Sequence, residues 1–164
     1  MNPADAQEQI FSKTFPLGDA DQTAQLGARF AEILRAGDVV LLHGQIGAGK
    51  THFARAIIQT RMKSVGLFED VPSPTFTLIQ VYDIENEEIW HADLYRLTNT
   101  SEIDELGLVE AFESAICLVE WPDRLGNLAP VSALHIRLAL HGEGRIVTLE
   151  GGTDWARRLE GFAS

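Results

Sequence analysis

The chain has 164 residues, 45% hydrophobic and 23% charged, which are ordinary values for one globular domain with a real core. Thirteen Lys and Arg against 24 Asp and Glu leave a net charge of −11. That argues against a chain that holds RNA, DNA or an anionic membrane by itself, since such partners need basic patches. It suits either a basic protein partner or an ordinary acidic cytosolic surface.

The first expected element is a strand from Gln9 to Phe15, ended by Pro16 and Gly18. Asp19 or Asp21 can cap a helix running to about Arg35, with Leu26, Phe30, Ile33 and Leu34 at helical spacing. Gly37 stops it. Asp38 to His43 is an apolar, β-branched run that reads as a buried strand, and Phe53 to Ile58 reads as a helix fading near Arg61. Pro72 and Pro74 forbid helix around them, and Thr77 to Asp83 reads as a strand. Glu85 to Glu87 looks like a turn, and Ile89 to Tyr95 like the returning strand of a hairpin. Short helices are expected over Glu102–Leu106 and Val109–Ser114, a buried strand over Ala115–Val119, and a short helix or loop over Pro122–Leu128. Leu134–Leu140 and Arg145–Leu149 flank His141-Gly142-Glu143-Gly144 as a hairpin, and Asp154 to Phe162 closes as a helix. The expectation is one α/β P-loop NTPase-like domain over 1–164, with parallel central strands and antiparallel hairpins at the edges. Its core covers about 9–150, with a C-terminal tail over 151–164.

Between the buried strand and its helix lies Gly44-Gln45-Ile46-Gly47-Ala48-Gly49-Lys50-Thr51. It fits the phosphate-binding pattern G-x-x-x-x-G-K-[ST], and strand, glycine loop and helix are the context that separates a P-loop from a chance match. The glycines let backbone N–H groups turn inward around phosphate oxygens. Lys50 then reaches the β- and γ-phosphates and the Thr51 hydroxyl ligates Mg²⁺. A helix N-terminus adds donors and the positive end of its dipole.

A second Mg²⁺ ligand is needed, usually a carboxylate at the end of a buried strand. Glu120 follows Ile116 to Val119 in the Walker B pattern; it can order the metal's water shell or the attacking water, or simply face solvent. Asp93 sits in Trp90-His91-Ala92-Asp93-Leu94-Tyr95-Arg96, where alternation puts His91, Asp93 and Tyr95 on one face. A zinc pair of His91 and Asp93 lacks further ligands of suitable spacing. Arg96 is either a stabiliser of phosphate charge or an exposed salt-bridging residue. Thr75, in the stiff loop Ser73 to Thr77, either senses γ-phosphate and Mg²⁺ or serves a rigid turn. Trp121 is core packing or a partner anchor. Cys117, the single cysteine, leaves no internal disulfide and reads as a small hydrophobe in a buried strand rather than a catalytic thiol. Neither a signal-peptide pattern nor an apolar run of about 18 residues is seen, so a cytoplasmic protein is expected. The guanine-specifying N/T-K-x-D signature is absent, which tilts the base toward adenine.

In order and content these segments resemble the TsaE (YjeE) family, the small bacterial P-loop ATPase of tRNA threonylcarbamoyladenosine biosynthesis. The resemblance rests on the P-loop with its leading strand and helix, Pro72-Ser73-Pro74-Thr75-Phe76, His91-Ala92-Asp93-Leu94-Tyr95-Arg96 and Leu118-Val119-Glu120-Trp121-Pro122, and spans roughly residues 10 to 150. It implies a protein that binds ATP and Mg²⁺ and hydrolyses ATP weakly alone, more when stimulated by partners. Those partners are the threonylcarbamoyl-transferase subunit and its dimerising partner (TsaD and TsaB type), which would carry the RNA. By carry-over Lys50 and Thr51 hold phosphate and metal, Asp93 sits at Mg²⁺, Glu120 is the Walker B-type acid, Thr75 falls in a switch-like loop, and Trp121 lies near nucleotide or partner. Two other readings compete: a small-molecule P-loop kinase, which usually adds an Arg-rich lid in its second half, and a nucleotide-sensing module without useful turnover.

Overall fold

The computed structural model describes residues 10–162. The expected strand start at Gln9, and the first and last stretches of the expected 1–164 domain, lie outside the described residues. Seven strands form one sheet among the described residues, in the order β1-β7-β6-β2-β5-β4-β3. They are β1 (Phe11–Leu17), β2 (Val39–His43), β3 (Ile79–Ile84), β4 (Glu87–Asp93), β5 (Ile116–Glu120), β6 (Leu134–His141) and β7 (Gly144–Gly151). The four central strands β6, β2, β5 and β4 run parallel, while β1–β7, β6–β7 and β3–β4 pair antiparallel at the two sides.

Residues of β2 alternate between two cores, as a strand covered on both faces must. Val40 and Leu42 meet helices α1 (Ala20–Ile33) and α2 (Lys50–Lys63), with Phe30, Phe53 and Ile57 fully buried. The short helix α5 (Thr153–Arg158) adds Trp155 to the same layer. Val39 and Leu41 face α3 (Ser101–Glu105), α4 (Leu108–Ser114) and the 3₁₀ segment Pro122–Leu128, through Ile103, Leu108 and Leu125. Cys117 belongs to this second core; burial pushes its thiol up to about 12, so it is no nucleophile at neutral pH.

The expected element order holds, and the boundary differences have local causes. Pro16 lies inside β1 rather than ending it. β1 is an edge strand, where a residue without N–H is tolerated. Leu78 takes φ +69° and donates its N–H to the Pro74 carbonyl at 2.7 Å, so β3 begins after Thr77. β4 stops at Asp93 because the Asp93 Oδ1 accepts from the Tyr95 N–H at 3.0 Å, turning the chain. Glu85 and Asn86 both have positive φ, the type I′ geometry that suits a two-residue hairpin. Asp19 proves to be the cap of α1, its Oδ1 accepting from the Gln22 N–H at 2.9 Å.

Candidate functional site

The site lies at the carboxyl ends of the parallel strands, where open α/β sheets place their ligand crevices. β2 ends at His43 and the chain turns through Gly44 to Gly49 into α2. Gly44 must be glycine: φ is +152°, and a Cβ there would meet the Leu138 carbonyl oxygen of β6 at 2.6 Å. The Ala48 N–H donates to the Gln45 carbonyl at 3.1 Å and closes the turn. Ile46 to Thr51 line a cavity of about 410 Å³, together with Thr75, Asp93, Tyr95, Glu120 and Trp121.

Lys50 is nearly buried, 5% exposed. Its Nζ donates to the Gly44 carbonyl and lies 3.6 Å from the centre of the Trp121 ring. It makes no ion pair among the described residues. Burial pulls its pKa down, and the more distant Glu120 and Asp93 partly oppose that. Trp121 has φ +56°, a rare conformation for a bulky residue, and packs 4.8 Å from Tyr95.

The β4–β5 register pairs Asp93 with Glu120, bringing together two carboxylates far apart in sequence. Both are buried, at 5% and 2% exposure. Glu120 accepts from the Thr51 hydroxyl at 2.8 and 2.9 Å and from His91 Nε2 at 2.7 Å. His91 is fully buried, and its Nδ1 has no hydrogen-bond partner. It therefore serves Glu120 alone rather than a zinc pair, and no group of three metal-ligating side chains forms among the described residues. Asp93 Oδ2 accepts from the Thr75 hydroxyl at 3.4 Å, and Thr75 in turn bonds Ser73 at 2.7 Å. Arg96 turns away from the cavity, toward the Phe76 carbonyl at 3.3 Å and the Phe76 ring at 5.8 Å. The structure thus brings Lys50, Thr51, Thr75, Asp93 and Glu120 to one cavity and leaves Arg96 outside it.

This donor set fits an anion next to a divalent cation. Lys50 is a buried cation without a counter-ion, and phosphate oxygens would supply one. Glu120 and Asp93 are buried carboxylates whose partners, apart from His91, are neutral hydroxyl or amide donors. Magnesium is commonly held by one or two carboxylates plus substrate phosphates and waters, so two carboxylates and the Thr51 hydroxyl suffice.

The sequence profile described as "Threonylcarbamoyl adenosine biosynthesis protein TsaE" matches residues 17–147. The chain belongs to the TsaE family. The tRNA threonylcarbamoyladenosine biosynthesis protein TsaE of Rickettsia bellii is 36% identical over 132 residues, covering 80% of this chain and 90% of the relative. The protein of the same name from Haemophilus influenzae is 30% identical over 154 residues, covering 90% and 95%. The crystal structure of Bacillus subtilus YdiB superposes with a TM-score of 0.75 at 24% identity, over 93% of this chain and 94% of that one, and shares the fold. The family and the P-loop fold together point to a nucleotide-binding ATPase. No helix among the described residues is long and apolar enough to cross a membrane.

Sequence reasoning passed over His43, which precedes Gly44. Its Nε2 lies 2.9 Å from His135 Nδ1, the rings stack at 5.1 Å, and its Nδ1 is 3.7 Å from Asp123. Burial pushes its pKa down to about 4, Arg137 and His135 push the same way, and Asp123 and Glu150 oppose them. Burial also lowers His135, with Arg137 second. The folded value lies below the unfolded one, so the unfolded chain binds more protons between them. His43's contribution is therefore complete above pH 6.5 and is lost as pH falls toward 4. Between pH 7 and pH 5 the protein should therefore lose stability. Urea unfolding at the two pH values checks it: His43→Gln should show the smaller loss, and an equal loss in both proteins would refute the assignment.

Proposed function

We propose that this chain is the ATP-binding and hydrolysing subunit required for threonylcarbamoyladenosine modification of tRNA, acting through the transferase complex and not on RNA directly. The observation that carries the reading is the buried, unpaired Lys50 facing Asp93 and Glu120 across one P-loop cavity. Family membership supplies the biological context, and relatives of 30–37% identity carry the name tRNA threonylcarbamoyladenosine biosynthesis protein TsaE.

In this reading the loop amides and Lys50 bind the phosphates. Thr51, with Asp93 and Glu120 around it, holds Mg²⁺, which supplies neutralisation of phosphate charge when bound. Glu120 orients the attacking water, and His91 fixes the orientation of the Glu120 carboxylate. Lys50, Asp93 and Glu120 are the residues on which hydrolysis depends. Activity is Mg²⁺-dependent, weak alone and stimulated by partners of the TsaD and TsaB type, in the cytoplasm. A small-molecule kinase is not favoured: the second half folds as the β6–β7 hairpin where an Arg-rich lid would be sought.

Nucleotide should control docking. Thr75 reaches Asp93 while its neighbour Phe76 is 85% exposed, so a γ-phosphate that reorders Ser73 to Thr77 also changes an apolar surface at the cavity mouth. The test is calorimetric titration of the transferase pair with ATP, ADP and no nucleotide, beside a tRNA titration of the isolated chain. Tighter partner binding with ATP and weak or no tRNA binding at physiological salt are expected. Equal partner affinity in all three states would overturn the switch. Tight, salt-sensitive tRNA binding would overturn the division of labour.

A further inference from the structure

Arg145 stands at the start of β7 and lines a second hollow against the phosphate loop, with Gly47, Ala48 and Gly49. It is half-buried and makes no ion pair among the described residues. Its guanidinium is spent on backbone carbonyls. Nη2 donates to the Gly47 oxygen at 2.9 Å, Nε to the Ala48 oxygen at 3.1 Å, and Nη1 to the Gly144 oxygen at 2.9 Å. Two of these acceptors are consecutive residues of the loop. The planar fork of arginine can span such a pair; the point charge of lysine cannot.

Holding those carbonyls fixes the amides beyond them. None of the described peptide bonds is cis. In a planar trans peptide the N–H points opposite to the C=O. With the Ala48 carbonyl drawn to Arg145, the Gly49 N–H must point away from Arg145. Gly49 lines the cavity beside Lys50 and Thr51. With the Gly47 carbonyl held, the Ala48 N–H is aimed at the Gln45 oxygen that it bonds. One side chain therefore sets two successive peptide planes.

Apart from Arg145, the Ala48 N–H bond to Gln45 and the Phe53 N–H bond to the Gly49 carbonyl, no contact among the described residues wedges the two glycines. Gly47 and Gly49 have φ of +84° and +105°, and a Cβ added to either would meet no atom within 4 Å. Glycines in open space are free to rotate unless hydrogen bonds hold them. The guanidinium also polarises the amides that it bonds, strengthening their N–H groups as donors.

We propose that Arg145 is a positioning residue for the phosphate loop: by holding the Gly47 and Ala48 carbonyls it aims the Gly49 N–H into the cavity before nucleotide arrives. The inference rests on the nucleotide-site reading above. It also gives the β6–β7 hairpin a task, since Leu138 of β6 abuts Gly44 at one end of the loop and Arg145 of β7 holds the other.

A preorganised loop shows itself in affinity, because disorder must otherwise be removed on binding. Full-length Arg145→Ala and Arg145→Lys should each bind ATP at least about tenfold more weakly by calorimetry, the loss expected for charge-assisted hydrogen bonds. KM for ATP should rise in parallel while kcat stays within about threefold. Melting temperatures without nucleotide should fall by no more than a few degrees. Arg137→Ala, which removes an Arg paired with Glu150 on the same hairpin, should bind as the parent does. Parental affinity in Arg145→Ala would overturn the proposal. So would parental affinity in Arg145→Lys, by showing that charge alone suffices; if the alanine variant does not fold, the lysine variant decides. A fall in kcat at unchanged KM would overturn it too. Lys50→Ala, measured alongside, separates the two levels. Lost binding there with parental binding in the Arg145 variants refutes the brace alone, whereas parental binding in Lys50→Ala refutes the nucleotide site on which the brace depends.

Discussion

Lys50→Ala should lose ATP affinity by at least about a hundredfold, and hydrolysis with it, while the protein stays folded. The two halves of this expectation come from one fact. Lys50 is buried without an ion pair, and burial pulls its pKa down, so its charge is a burden on the folded state rather than a support. What the side chain touches is the Gly44 carbonyl and the Trp121 ring, neither of which holds the core together. Removing it should therefore leave the melting temperature unchanged or raise it. Glu120→Gln is the matched contrast. Its amide keeps one acceptor oxygen for Thr51 and His91, so turnover should fall far more than ATP affinity, the pattern of a group that acts in the chemical step. Binding by calorimetry, phosphate release and thermal melts on the three proteins decide the matter. Parental hydrolysis by Lys50→Ala would refute the P-loop reading, and an unfolded Lys50→Ala would make the residue structural.

How much of this site can be read from sequence depends on how local each interaction is. The phosphate loop is legible because its glycines, Lys50 and Thr51 are contiguous and flanked by a strand and a helix. Glu120 and Asp93 are legible as strand-end acids, and a parallel sheet collects strand ends at one edge. Their pairing across β4 and β5 is a matter of register, which spacing does not give. The same register brings His91 to Glu120, a partner that spacing alone does not name. Arg145 is illegible for a deeper reason. Its partners are main-chain carbonyls 97 and 98 residues away, and carbonyls carry no residue code. Pro16 shows the converse error: a local rule against proline in strands yields to the freedom of an edge.

The C-terminal segment, expected as a helix over Asp154–Phe162, is helical only over Thr153–Arg158, yet its removal should be costly. Trp155, Leu159 and Phe162 are buried in the α1/α2 core, and the Phe162 ring meets Phe30 edge-on at 5.1 Å. Arg158 then pins α5 to the turn between α1 and β2. Its Nη1 and Nη2 donate to the two carboxylate oxygens of Asp38 at 2.9 and 2.6 Å, and Nη2 also reaches the Ile33 carbonyl at 2.7 Å. Asp38 in turn accepts from the Arg35 N–H at 2.8 Å, so the pair is bidentate, mostly buried and tied to backbone on both sides. The hydrogen bond to Asp38 raises the pKa of Arg158 further, so its charge persists at every pH of interest. Arg158→Ala leaves the Asp38 carboxylate buried without its partner. It should cost about 3 kcal/mol and lower the melting temperature by roughly 10 °C. Asp38→Ala should cost less, because Arg158 keeps the Ile33 carbonyl and the Asp154 carboxylate at 3.7 Å. The double variant Arg158→Met, Asp38→Leu should cost less than the sum of the two single losses, since neither charge is then left alone. Thermal and urea unfolding of the four proteins tests this. Simple additivity, or single losses below about 0.5 kcal/mol, would mean that α5 is held by Trp155 and Phe162 and not by its ion pair.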